Sequence, residues 1–262
     1  MVMRSLAVTL FLFISTTALA SQPLETETAR PLPQGIFKVE LTGEFQRSNE
    51  GTEQAFPLVF EYGLTSRTEL TVEPVFGASI RPKHGLKASG PGDTEITLTH
   101  LFASETPSTP AFAVAGEIKL PTAKNRLIGT GKTDFNVTGI VSKRVDHLDI
   151  HGNLGYTVVG RPSGTRLNNT INYAVAGEFH VSTTVDVVAE VIGNTSSTGE
   201  NGSEGAPSTG PIPAEAAGAE RSVMLGMRYH LSPALFFSVG ASYDNNHAFL
   251  IRPGVTYRFG AR

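Results

Sequence analysis

Past Gly35 the chain alternates between an apolar and a polar face, and nearly all strand charge is confined to one of them. A period of two belongs to β-strands whose faces meet different surroundings. In 184–193, Val185, Val187, Ala189 and Val191 share one face, while Asp186, Val188 and Glu190 share the other. The same holds in 111–120, where Phe112, Val114, Gly116, Ile118 and Leu120 oppose Glu117 and Lys119. In 249–259, Phe249, Ile251, Pro253, Val255, Tyr257 and Phe259 oppose Arg252, Thr256 and Arg258.

Carried along the chain, this template predicts strands at 35–46, 55–64, 68–79, 94–102, 111–120, 134–144, 148–159, 170–180, 184–193, 222–231, 234–244 and 249–259. Each is close to the ~9–11 residues that a tilted membrane strand needs, and an even number puts both chain ends on one side. The connections alternate in length. Thr65–Arg67, Val145–His147, Val181–Thr183 and Ser232–Pro233 are tight, with Ala103–Pro110 the longer member of that series. The others include Ile80–Asp93, Pro121–Thr133, Gly160–Asn169 and the Gly/Ser/Pro-rich stretch Asn194–Arg221, and only Asn245–Ala248 is expected to be short. Short periplasmic turns alternating with long outer loops are characteristic of membrane barrels.

Alternation is symmetric between inside and outside, so other features must assign the faces. Residues 1–20 read as a secretory signal: Arg4, then the apolar Leu6–Ile14, then Ala18-Leu19-Ala20 with cleavage expected after Ala20. Aromatic residues gather toward strand ends, as interfacial girdles do. On the apolar faces the one charged residue is Lys143, near a strand end. The expected fold is therefore all-β, an antiparallel up-and-down transmembrane barrel of about 12 strands spanning 35–262. A polar periplasmic lead-in is expected over 21–34. With no cysteine, disulfides, thiol catalysis and a cysteine-linked lipid anchor are excluded, and a net charge of -3 gives no bulk signal for nucleic acid.

The polar faces supply the candidate lumen residues Glu40, Glu61, Glu73, Glu117, Lys119, Asp149, His151, Glu178, Asp186, Glu190, Arg228, Arg252 and Arg258. Acids outnumber bases there, which predicts modest cation preference if water fills the lumen. His151, His180 and His230 also fall on polar faces and could meet across the lumen, but no paired-His spacing marks a metal site. The outer loops carry Arg81, Lys83, Lys87, Lys124, Arg126, Lys132, Arg161 and Arg166, a basic rim suited to lipopolysaccharide phosphates. Gly129–Thr133 contains a GKT, but the earlier glycine of a phosphate loop is replaced by Arg126 and a strand follows. Ser238 and Ser242 lie on polar faces, yet nothing singles out a base beside them. No catalytic residue, cofactor or metal is assigned.

Gly92-Asp93-Thr94-Glu95 opens a strand, Phe112–Pro121 closes on Lys119-Leu120-Pro121-Thr122, and Asp134-Phe135 starts the next. Together with Asn153–Tyr156 and Val255–Phe259, these segments resemble the bacterial outer-membrane family of the MetA phenol-degradation pathway and related transporters. The resemblance implies an outer-membrane barrel passing small, in some cases aromatic, solutes by passive or facilitated diffusion. It also implies dealings with outer-membrane lipid and the barrel-assembly machinery. The alternatives are a structural or surface-interaction barrel with a plugged lumen, or a barrel lipid or ester hydrolase. The 194–221 loop is the expected gate.

Overall fold

The computed structural model describes residues 22–197 and 219–260. The expected signal segment and its cleavage point lie outside the described residues, as does most of the expected gate loop. Strand segments β1 (Phe37–Thr42), β2 (Glu44–Arg47), β3 (Gly51–Thr65), β4 (Thr68–Pro82), β5 (Ala88–Gly90), β6 (Thr94–Ala103) and β7 (Ala111–Leu120) form the first half of one antiparallel sheet. The second half is β8 (Asp134–Val145), β9 (Leu148–Val158), β10 (Thr170–His180), β11 (Val185–Asn194), β12 (Arg221–His230), β13 (Leu235–Asp244) and β14 (Phe249–Phe259). The sheet closes through β1 against β14, from Phe37↔Phe259 to Thr42↔Gly254. Since β1 and β2 are one stave interrupted at Gly43, and β5 only extends the hairpin edge of β4, twelve staves go round the barrel.

Two expectations are corrected. β3 begins at Gly51, not near 55, so the first outer connection is also short, and β4 runs on to Pro82. The strand tolerates Pro57, which has no N–H to give, because the β3–β4 register shifts between Phe56 and Pro57.

The exterior is built for lipid. Mid-strand Leu154, Val175 and Leu225 are each more than half exposed, whereas charged Lys38, Asp149, Glu178 and Arg228 are fully buried on the inner face. Two aromatic bands flank the apolar belt. Phe45, Phe76, Tyr156, Tyr243 and Phe249 lie toward the long-loop end; Tyr62, Phe102, Phe179, Tyr229 and Tyr257 lie toward the short-turn end. Lys143, the exception on the apolar face, reaches back to the 104–110 turn, where its Nζ donates to the Thr106 (2.6 Å) and Pro107 (3.2 Å) carbonyls. Leu225→Arg, at the middle of β12, is expected to destabilise the inserted barrel by about 2–4 kcal/mol. Urea unfolding from lipid vesicles measures this, and a cost near zero would contradict the lipid-facing assignment.

Candidate functional site

The lumen holds a segment of the chain itself. Residues 22–34 do not form a lead-in outside the barrel; they double back from β1 into its interior. An irregular segment leaves its backbone donors and acceptors without ladder partners, and such groups must be satisfied when buried. The wall supplies the partners. Leu32 N donates to Glu69 Oε2 (2.6 Å), Ala29 N to Ser142 Oγ (2.8 Å), and Glu27 N to Asn153 Oδ1 (2.7 Å), whose Nδ2 returns a bond to Glu27 O (3.0 Å). Glu190 accepts from Glu25 N (2.9 Å) and from the backbone and hydroxyl of Thr26. Beyond it, Arg252 Nη1 donates to Pro23 O (3.1 Å) and Arg228 Nε to Gln22 O (2.7 Å).

Apolar contacts hold the same segment. Leu24 joins Ala176, Val188 and Met224, while Ala29 joins Ala111, Ala113, Ala115, Leu101 and Ile140. Pro23 lies where side chains of Gly226 and Gly240 would stand: a Cβ at either would come within 2.5 or 2.6 Å of its ring. The wall is glycine at these two positions because the inserted chain passes there.

Charges on the wall are mostly paired, as a narrow lumen requires. Lys38 Nζ lies 2.8 Å from Glu61 and 3.4 Å from Glu40. Arg228 Nη1 meets Glu178 Oε2 at 2.6 Å, both fully buried. Arg252 pairs with Glu25 and with Glu44 (3.0 Å). At the short-turn mouth Arg30 bridges Glu105 (2.6 Å) and Asp149 (2.9 Å). That contact accounts for the longer turn after β6, since Glu105 folds over the rim to reach the inserted segment. Burial alone would raise the Glu105 carboxyl. Bonds from Arg30, the Arg144 backbone N–H and Lys143 outweigh it and hold the group below the usual carboxylate range.

Among the described residues, two cavities lie beside the segment. One of about 340 Å³ faces the long-loop end, lined by Asn136, Asn153, Tyr173, Ile192 and Ser222, with Glu25 and Glu27 at its floor. The other, about 450 Å³, runs along the β1–β3–β4–β6 wall, where Glu40, Glu44, Glu61, Glu69, Glu73 and Glu95 face Arg30 and Arg252.

The sequence-predicted lumen residues all sit on inward-facing positions, but they divide. Glu40, Glu61 and Glu73 line the acidic cavity with Arg252. Glu117 faces Thr97 (3.5 Å). Asp149, Glu178, Asp186 and Arg228 belong to the opposite wall with His151, and Arg258 lies over the Phe236 ring at 5.6 Å. The eight basic rim residues are all exposed. Ser238 and Ser242 have no histidine bonded to them among the described residues. The Ser–His pair that does form is Ser142 Oγ with His151 Nδ1 (2.8 Å), across β8 and β9. Its serine is capped by Ala29 N, and His151 Nε2 is buried without a partner. A nucleophilic pair needs an accessible serine and a third group orienting the histidine, and this pair has neither.

At the outer ends of β7 and β8, Lys119 pairs with Asp134 and stands 4.0 Å from Asp93. Asp93 takes the Ala123 N–H (2.9 Å), and Asp134 takes the Gly160 N–H (2.7 Å). Residues 72–259 match a family model described as "Putative MetA-pathway of phenol degradation". The chain belongs to this family. Three of the segments that carried the resemblance, those around Asp93, Lys119 and Asp134, thus meet in one place, where the Lys119 cluster ties three outer loops of this family member to the strands.

Solved structures share the fold. An outer-membrane channel from Pseudomonas putida F1 is 10% identical, with 88% of this chain and 98% of that one covered at a TM-score of 0.64. The NanC porin is 9% identical over 84% and 98%, at 0.58. The KdgM porin, solved with disordered oligogalacturonate, is 9% identical over 85% and 99%, at 0.55. No curated protein sequence matches the chain.

Proposed function

We propose that the protein is a narrow outer-membrane channel for small solutes, in which residues 22–34 restrict the path. The observation that carries this reading is the pair of polar cavities flanking that segment, space that the inserted chain leaves unfilled in the lumen. The outer cavity combines carboxamides and hydroxyls with the carboxylates of Glu25, Glu27, Glu220 and Asp244 and the apolar side chains of Ile192 and Leu250, a lining suited to small solutes that carry hydrogen-bonding groups on an apolar body. The family's link to phenol degradation supports phenolic compounds as the class carried.

For ions, the acidic wall makes the path cation-preferring. Neutralising Glu73→Gln and Glu95→Gln together is expected to move the reversal potential in a salt gradient toward zero, with the barrel still heat-modifiable on gels. A wild-type preference for anions would contradict it. Flux of phenol into protein-containing liposomes, compared with a disaccharide, tests the solute. Faster phenol entry than in protein-free liposomes supports the proposal; no difference with a folded barrel favours a structural role.

A further inference from the structure

We propose that the short-turn mouth carries a site for a divalent transition metal of the zinc class, ligated by His180 Nδ1 and the carboxylates of Glu178 and Asp186. One ligand atom from each of these residues lies within 4.8 Å of the others. Glu178 and His180 stand two positions apart on the inner face of β10, and Asp186 is the cross-strand partner of His180 on β11. This juxtaposition follows from the ladder register.

The ring of His180 points to a cation. Nδ1 faces Asp186 Oδ1 at 2.8 Å and Glu178 Oε1 at 3.9 Å, while Nε2 faces Asp149 Oδ2 at 2.9 Å. A neutral imidazole has one N–H and one lone pair, so either tautomer sets a lone pair against a carboxylate. Something positive must lie on one side, a proton or a metal ion. Arg144 Nη2 approaches Nε2 to 3.3 Å but also binds Asp149, and the shorter contact assigns the Nε2 proton to Asp149. That leaves Nδ1, directed at two carboxylates, as the nitrogen that holds either a second proton or the ion.

The surrounding groups match the outer shell of a metal centre. Ligating histidines commonly donate their second nitrogen to a carboxylate, and ligating carboxylates are themselves hydrogen-bonded. Asp149, itself fixed by Arg30 at 2.9 Å, takes the first part. His230 Nε2, 2.6 Å from Asp186 Oδ2, takes the second, and Arg228 occupies Glu178 Oε2, leaving Oε1 free to turn toward the site. Carboxylate and imidazole together suit zinc, with water completing the coordination. The His180 side chain keeps about a fifth of its surface in solvent, which gives an ion its way in.

The test is calorimetric titration of Zn²⁺ into the refolded, chelator-stripped full chain, with Co²⁺ absorption as a second readout. One ion per chain and a cobalt spectrum of low-coordinate type are expected. His180→Ala should abolish both, and His247→Ala, at the exposed outer rim, should change neither. Asp149→Asn keeps every ligand and should weaken binding about 10–100-fold, so it decides the matter if His180→Ala fails to insert. Absent binding in the wild type, or equal binding in the variants, would overturn the site and assign His180 to a proton held between carboxylates.

Discussion

Deleting residues 22–34 is expected to raise single-channel conductance several-fold while the barrel still folds. The closed sheet does not depend on this segment: β1 pairs with β14 and β3 along its own length. What the deletion removes is the material between the two cavities, which then merge into one water-filled path. Its cost falls on the wall. Glu190 and Glu69 lose backbone donors, and the alanine patch of β7 meets water, so a lower unfolding midpoint should accompany the wider pore. A milder variant separates occlusion from damage. Gly240→Val fills the space of Pro23 without touching the anchors at Glu190 or Asn153, and should raise conductance by a smaller factor. Unchanged conductance in a folded deletion variant would remove the segment from the account of the pore.

Arg228→Ala should destabilise the barrel by about 3–5 kcal/mol, the largest effect expected of one wall substitution. Its guanidinium serves two partners, the fully buried Glu178 carboxylate at 2.6 Å and the Gln22 carbonyl at 2.7 Å. Truncation leaves a fully buried carboxylate whose nearest cation is gone, and removing one partner of such a pair costs far more than removing both. The double variant Arg228→Ala/Glu178→Ala should therefore be more stable than the sum of the two single losses, as urea unfolding in lipid vesicles would show. Additive losses would mean that the two groups act independently.

The barrel was legible because each stave carries its own period-two record, and lipid tolerates so little charge that Lys143 stood out as an exception. The early start of β3 was not legible, since Pro57 breaks the pattern where a bulge absorbs it. The inserted segment left no period at all. Residues 22–34 bond to side chains of strands distant in sequence, and their irregular backbone produces no repeat. A trace of them lay instead in the wall. Ala111, Ala113, Ala115, Val188, Gly226 and Gly240 are small or apolar at lumen-facing positions, which a water-filled pore has no use for. His180 and Asp186 were placed on polar faces from the alternation, but only the β10–β11 register sets them opposite each other.

The most direct test of the account is planar-bilayer conductance of the intact, refolded protein. Small discrete steps, with a reversal potential marking cation preference, are the predicted result. A heat-modifiable, inserted barrel that stays silent at every voltage would contradict it and leave residues 22–34 as a permanent seal.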